Sequence, residues 1–190
     1  YQKIPDWIFT YKKIKPLLNT PDKYTSNAVW LLIKDIEGYV FTCDDDILYP
    51  DNYVEHLVQK MKEYNNETVL TLYGEIAKRP FIDYCPGRYA IGFFRAEEKD
   101  TPVDITGVGC SVFHTSMIKP SIEDFPDMYS RDIWFSIFVH KRKMPIIRIK
   151  SEERWVNFCK TEGSPEITWI WRKDPKLTER RKEVYKNILC

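Results

Sequence analysis

The run Phe41-Thr42-Cys43-Asp44-Asp45-Asp46 places three consecutive carboxylates behind an apolar stretch, Tyr39-Val40-Phe41. Like charges so close repel one another, and burying them unpaired is costly. A positive charge is therefore expected beside them. On an extended segment alternate side chains share a face. Asp44 and Asp46 are thus expected to converge on one site while Asp45 points elsewhere. Two oxygen donors suit a hard divalent cation, Mg²⁺ or Mn²⁺, which keeps other positions for water and phosphate. The plainer reading is a solvated turn capping the next helix. Asp51 lies nearer that helix start, so the triplet is not needed as a cap. A further acid, Asp132, stands in Ser130-Arg131-Asp132-Ile133-Trp134 at the expected start of another helix. The helix dipole stabilises it there as the anion. It serves the helix alone or, if a hydroxyl is seated on it, accepts a proton. Lys78, Arg79, Arg88 and Arg95 are cations that read mostly as solvated surface, and the later histidines are His114 and His140, the second on an amphipathic helix where a lone histidine is more often structural.

The elements that must hold these groups follow from pattern. A helix is expected after Thr25 or Ser26, through Ala28, Val29, Leu31, Leu32 and Ile36, stopping at Gly38. Tyr39 to Cys43 reads as a strand. Pro50 and Asp51 open a second helix, whose Val54, Leu57, Val58 and Met61 follow the i, i+3, i+4, i+7 spacing of one buried face. Thr68 to Tyr73 alternates as a strand does. Short strands are expected at Trp7–Phe9, Tyr89–Phe94, Val103–Thr106, Cys110–Phe113 and Pro145–Ile149. Gly107-Val108-Gly109 reads as a turn. Helices are expected over Arg131 to Lys143 and Leu177 to Leu189, with mostly loop from 151 to 176. Strand and helix alternate, as in an α/β sandwich.

Composition narrows the class. Hydrophobic residues make up 43% and aromatic residues 15% of the 190 residues, enough for a core within one domain, residues 1–190. Lys and Arg number 29 against 28 Asp and Glu, a net charge of +1, so bulk charge gives no reason to expect a nucleic-acid partner. No apolar run reaches the roughly 18 residues of a membrane span. The five cysteines are scattered and contain no C-x-x-C pair, which argues against a zinc ribbon or disulfide scaffold. It points to a reducing compartment and a cytoplasmic location.

The stretch YVFTCDDDILYP resembles the D-x-D region of the GT-A glycosyltransferases, which use nucleotide-sugar donors. The preceding KYTSNAVWLLIKDIEG is similar to the helix that leads into it. VDITGVGCSVFHTSMI followed by MYSRDIWFSIFVHKRKMPIIRI is similar to their acceptor half, where a glycine-containing strand pair precedes an acid at a helix start. The likeness runs from residue 23 to residue 150. It implies a GT-A-like single α/β domain with a mixed, mostly parallel sheet flanked by helices. It implies inverting transfer of a sugar from a nucleotide-diphosphate sugar, a UDP-sugar foremost, to a glycan or other hydroxyl acceptor, with Mn²⁺ or Mg²⁺. By the same likeness, Asp46 binds the metal directly and Asp44 reaches the ribose or a metal-bound water. Asp45 fills the variable position and, with Lys23, belongs to the donor site. Gly107 and Gly109 form the turn beneath sugar and acceptor, and Asp132 acts as base. The strand and helix with which such enzymes begin are not visible before the triplet, so the nucleotide-binding unit reads as incomplete.

Two other readings stay open. Haloacid-dehalogenase-like phosphatases carry D-x-D-x-T or D-x-D-x-V, whereas here Leu48 fills the last position. A non-catalytic sugar- or calcium-binding module would need more oxygen donors than the triplet and Asp51 supply.

Overall fold

The computed structural model describes residues 6–14, 16, 22–80, 87–126, 130–159 and 175–188. In chain order the elements are β1 (Tyr39–Cys43), β2 (Ile47–Leu48), α1 (Tyr53–Glu63), β3 (Val69–Thr71), β4 (Gly74–Ala77) and β5 (Arg88–Ile91). Then follow β6 (Thr101–Pro102), β7 (Ile105–Thr106), β8 (Cys110–His114), α2 (Arg131–His140), β9 (Ile146–Arg148), β10 (Asn157–Phe158) and α3 (Pro175–Lys186). Three 3-10 segments, Asp6–Thr10, Asp22–Asp35 and Ile122–Asp124, complete the set among the described residues.

The main sheet has the order β1-β8-β3-β9-β6. It is mixed, as expected, but it is not mostly parallel. Only β3 and β9 pair parallel; β1 with β8, β8 with β3 and β9 with β6 are antiparallel. The reason lies in the stretch from β5 to β8. A parallel neighbour needs a long crossover, usually a helix, and no helix separates those strands. β4, β5 and β7 form a second sheet, and β2 pairs with β10.

Strand alternation assigns side chains to two buried faces. Val40, Val69, Phe113 and Ile146 face one core with Trp30, Phe125, Phe135 and Phe138. Phe41, Leu70, Val112 and Ile147 face the other with Tyr53, Leu57 and Met61 of α1. With both faces covered, the strands read as near-continuous apolar runs. α3 packs on α2 through Val184 and Tyr185 against Ile133 and Ile137.

Several boundaries differ from expectation for physical reasons. The segment before Gly38 has the tighter 3-10 winding, so burial recurs every third residue at Asn27, Trp30 and Ile33. Leu32 and Ile36, apolar residues of the same segment, are exposed. In α1 the buried line is Tyr53, Leu57 and Met61, and Val54 turns outward. Around Trp7–Phe9 the chain is a 3-10 turn, not a strand; so short an apolar run carries no period of its own. Gly38 does end the helical segment. Its φ of +107° is a conformation that side-chain-bearing residues rarely adopt. Its amide donates to the Thr115 hydroxyl at 2.8 Å, which fixes the entry into β1.

Asp100 ties α1 to the sheet. Its carboxylate accepts the Lys150 amide at 2.6 Å, the Tyr64 hydroxyl at 2.9 Å and the Lys60 ammonium at 3.1 Å. Burial raises its pKa, but these donors outweigh burial and hold it below the ordinary 3.8. A depressed carboxylate contributes stability above its unfolded pKa and loses it as pH falls through the folded one. The Asp100→Asn variant is therefore expected to be less stable by about 1–2 kcal/mol at neutral pH. That difference should shrink as pH drops below about 4. Urea midpoints of both proteins across that range measure it; a constant difference would show that ionised Asp100 contributes nothing.

Candidate functional site

β1 delivers the chain to Asp44, and there the extended conformation ends. Asp45 and Asp46 form a turn that reverses into β2. The alternation that was to align Asp44 with Asp46 thus holds only as far as Asp44. The turn is fastened by its backbone. The Asp44 amide donates to the Tyr49 hydroxyl at 2.9 Å and to the Gly109 carbonyl at 3.3 Å. Tyr49 donates to the same Gly109 carbonyl at 2.6 Å. Burial raises the pKa of the Tyr49 hydroxyl, which keeps it a neutral donor. On the far side, the Cys159 amide donates to the Asp46 carbonyl at 2.7 Å. Asp45 is exposed; Asp44 and Asp46 are half-buried.

The expected positive charge is Arg131, the first residue of α2. Its Nη2 donates to Asp44 Oδ1 at 3.0 Å, and its Nε lies 3.9 Å from Asp132 Oδ1. The guanidinium side chain is only 19% exposed. Burial works against its charge, but Asp132 and Asp44 outweigh that and hold its pKa above the usual value. Asp132 Oδ1 accepts the Val108 amide at 3.0 Å. Among the described residues Oδ2 takes no hydrogen bond, and the side chain is 32% exposed.

Gly107-Val108-Gly109 is the floor between these groups. A Cβ on Gly109 would stand 2.0 Å from Asp44 Oδ2, so only a glycine lets that carboxylate lie on the turn. A Cβ on Gly107 would stand 2.8 Å from the Tyr73 ring. Sequence reasoning thus placed Asp44, Gly107, Gly109 and Asp132 in segments that the structure does bring together. It overlooked Arg131 and Tyr49. A cation beside the acids was expected, but nothing in the sequence named Arg131 as its source.

Other candidates stand elsewhere. Lys23 falls in the segment Asp22–Asp35, and its side chain lies outside the described residues. Arg79 pairs with Asp104 at 3.1 Å and Arg88 with Glu75 at 2.9 Å, so both are engaged in structural ion pairs. His140 Nε2 meets the Asp104 carbonyl at 2.7 Å. His114 pairs with Tyr39 across the ladder, at the opposite end of β8 from the acid turn. Five residues of strand put it about 13 Å away. Neither histidine supplements the triplet.

Two carboxylates, those of Asp44 and Asp132, flank one guanidinium, and Asp45 and Asp46 follow Asp44 in the turn. The fit of a divalent ion differs between the two acids assigned to it. Asp44 is held by Arg131 through Oδ1 and rests on Gly109 through Oδ2, so an ion there competes with the guanidinium. Asp46 is the half-buried acid of the turn itself. Among the described residues no cluster of three His, Cys, Asp or Glu is arranged to hold a metal. No helix among them is long and apolar enough to cross a membrane. No protein-family model matches the chain, and no curated protein matches it in sequence.

Proposed function

We propose that this chain moves a sugar from a nucleotide-diphosphate sugar to a hydroxyl acceptor, with inversion at the sugar carbon. One observation carries the reading. Three segments far apart in sequence meet at one place: the acid turn after β1, the glycine turn before β8, and Arg131-Asp132 at the start of α2. They are the segments on which the likeness to the GT-A glycosyltransferases rests.

Each residue has a task in that reaction. Asp46 holds Mn²⁺ or Mg²⁺, which would supply Lewis-acid stabilisation to the departing diphosphate. Asp44, fixed by Arg131 and Tyr49, faces the donor's ribose as a hydrogen-bond acceptor. The glycine turn lets sugar and acceptor approach backbone closely. Asp132 Oδ2 takes the proton of the acceptor hydroxyl. Arg131, between the two acids, orients Asp44 through its hydrogen bond and lies beside Asp132.

The direct test is calorimetric titration of a UDP-sugar series with and without Mn²⁺. Wild type is expected to bind only with the metal, and Asp46→Asn to lose that binding while keeping its urea midpoint. Unchanged affinity in Asp46→Asn would remove the metal from Asp46. Cleavage of a generic phosphomonoester, with no sugar transfer, would make the chain a phosphatase instead.

A further inference from the structure

We propose that Cys43 and Cys110 are a redox-active pair, joined across β1 and β8 when a disulfide oxidant of the oxidised-glutathione type is present. In the β1–β8 ladder Cys43 stands directly opposite Cys110. The Asp44 amide, one residue on, bonds to the Gly109 carbonyl, one residue back. That pattern makes Cys43 and Cys110 a non-hydrogen-bonded pair, the closer of the two kinds, with Cα atoms about 4.5 Å apart. Disulfides bridge Cα separations of about 4.4–6.8 Å. The backbone is therefore already spaced for the bond. Directly opposed side chains also share a face of the sheet; here it is the face that carries Tyr49 and Tyr53. Both cysteines are free thiols.

Their exposures set the order of events. Cys43 is exposed and Cys110 is 1% exposed. The Cys43 thiolate attacks one sulfur of oxidised glutathione and expels a glutathione thiolate. The Cys110 thiolate then attacks Cys43 Sγ and expels the second. Two protein thiols become one disulfide, one glutathione disulfide becomes two thiols, and the two protons pass to the departing thiolates. Cys110 Sγ now lies 3.6 Å from the Gly107 carbonyl and 3.8 Å from the Thr71 hydroxyl, so it must rotate about its Cα–Cβ bond. Cys43 precedes Asp44 and Cys110 follows Gly109. The bond would clasp the two segments that meet at the acid turn, whatever reaction is run there.

The test is the 190-residue chain with Cys85, Cys159 and Cys190 changed to serine, treated with oxidised glutathione in the native state and digested without reduction. Mass spectrometry is expected to find the Cys43 and Cys110 peptides joined, lighter than their sum by two hydrogens, and separated again by reductant. Both alkylatable thiols should be lost together, and Cys43→Ser should abolish the product. Glutathione left stably on Cys43, or two thiols still open to alkylation, overturns the proposal. Should the serine-substituted chain not fold, the unaltered chain is mapped in the same way. Cys43–Cys110 must then outnumber every other pairing, and any other dominant pairing overturns it equally.

Discussion

Replacing Asp132 with asparagine is expected to lower sugar transfer by about 10²–10⁴-fold, the contribution of a positioned base, and to leave donor affinity where it was. The substitution is clean for a geometric reason. Asparagine keeps an oxygen where Oδ1 accepts the Val108 amide at 3.0 Å, so the glycine turn retains its anchor. What is lost is the capacity to take a proton. The attraction to the largely buried Arg131 at 3.9 Å also goes, so some loss of urea midpoint is expected whichever role Asp132 has, and kcat is the deciding readout. A purely structural Asp132 would show a lower urea midpoint with intact kcat. Nucleotide release, donor calorimetry and denaturation on the same preparation separate the two. Transfer at near wild-type rate would place the base elsewhere.

Gly109→Ala is expected to dismantle the site without touching a charged residue. The new methyl would meet Asp44 Oδ2 at 2.0 Å and Cγ at 2.5 Å. The backbone of Gly109 is held by Tyr49 and by the Asp44 amide, so the carboxylate is what moves. It can move only by leaving Arg131. Overpacking and the lost charged hydrogen bond together should cost about 2–4 kcal/mol. Urea unfolding would report this as a lower midpoint at unchanged slope. The route is tested by adding Arg131→Met. If the alanine acts by breaking the Asp44–Arg131 pair, its cost must fall in that background. Strict additivity would show that Gly109 and Arg131 are unconnected.

What was legible in the chain was local. Tyr39 to Cys43 announces itself by apolar character between a glycine and an acid, and β1 has those bounds. Arg131 to Lys143 is apolar on most sides, and α2 is indeed a buried helix. The partners were not legible. Nothing near Asp44 states that its cation lies 87 residues away. Nor does any short pattern reveal that β8 runs against both its neighbours, because strand direction is settled by connections and not by period. The conformation of Asp45 and Asp46 was missed for a related reason. Their turn is held by partners distant in sequence, Gly109 at the Asp44 amide and Cys159 at the Asp46 carbonyl, and it leads into β2, whose partner β10 lies more than a hundred residues further along the chain.

Among the described residues β8 lies between β1 and β3, whereas β2 meets only β10, through a ladder of two residues on each strand. Amide protons should therefore exchange with solvent unevenly around one small site. Deuterium would enter on the Asp46 side early and reach the Gly107–Gly109 backbone last. A ligand arriving there meets a stiff floor and a yielding wall, so whatever accommodation it demands will be supplied by the acid turn and not by the glycines.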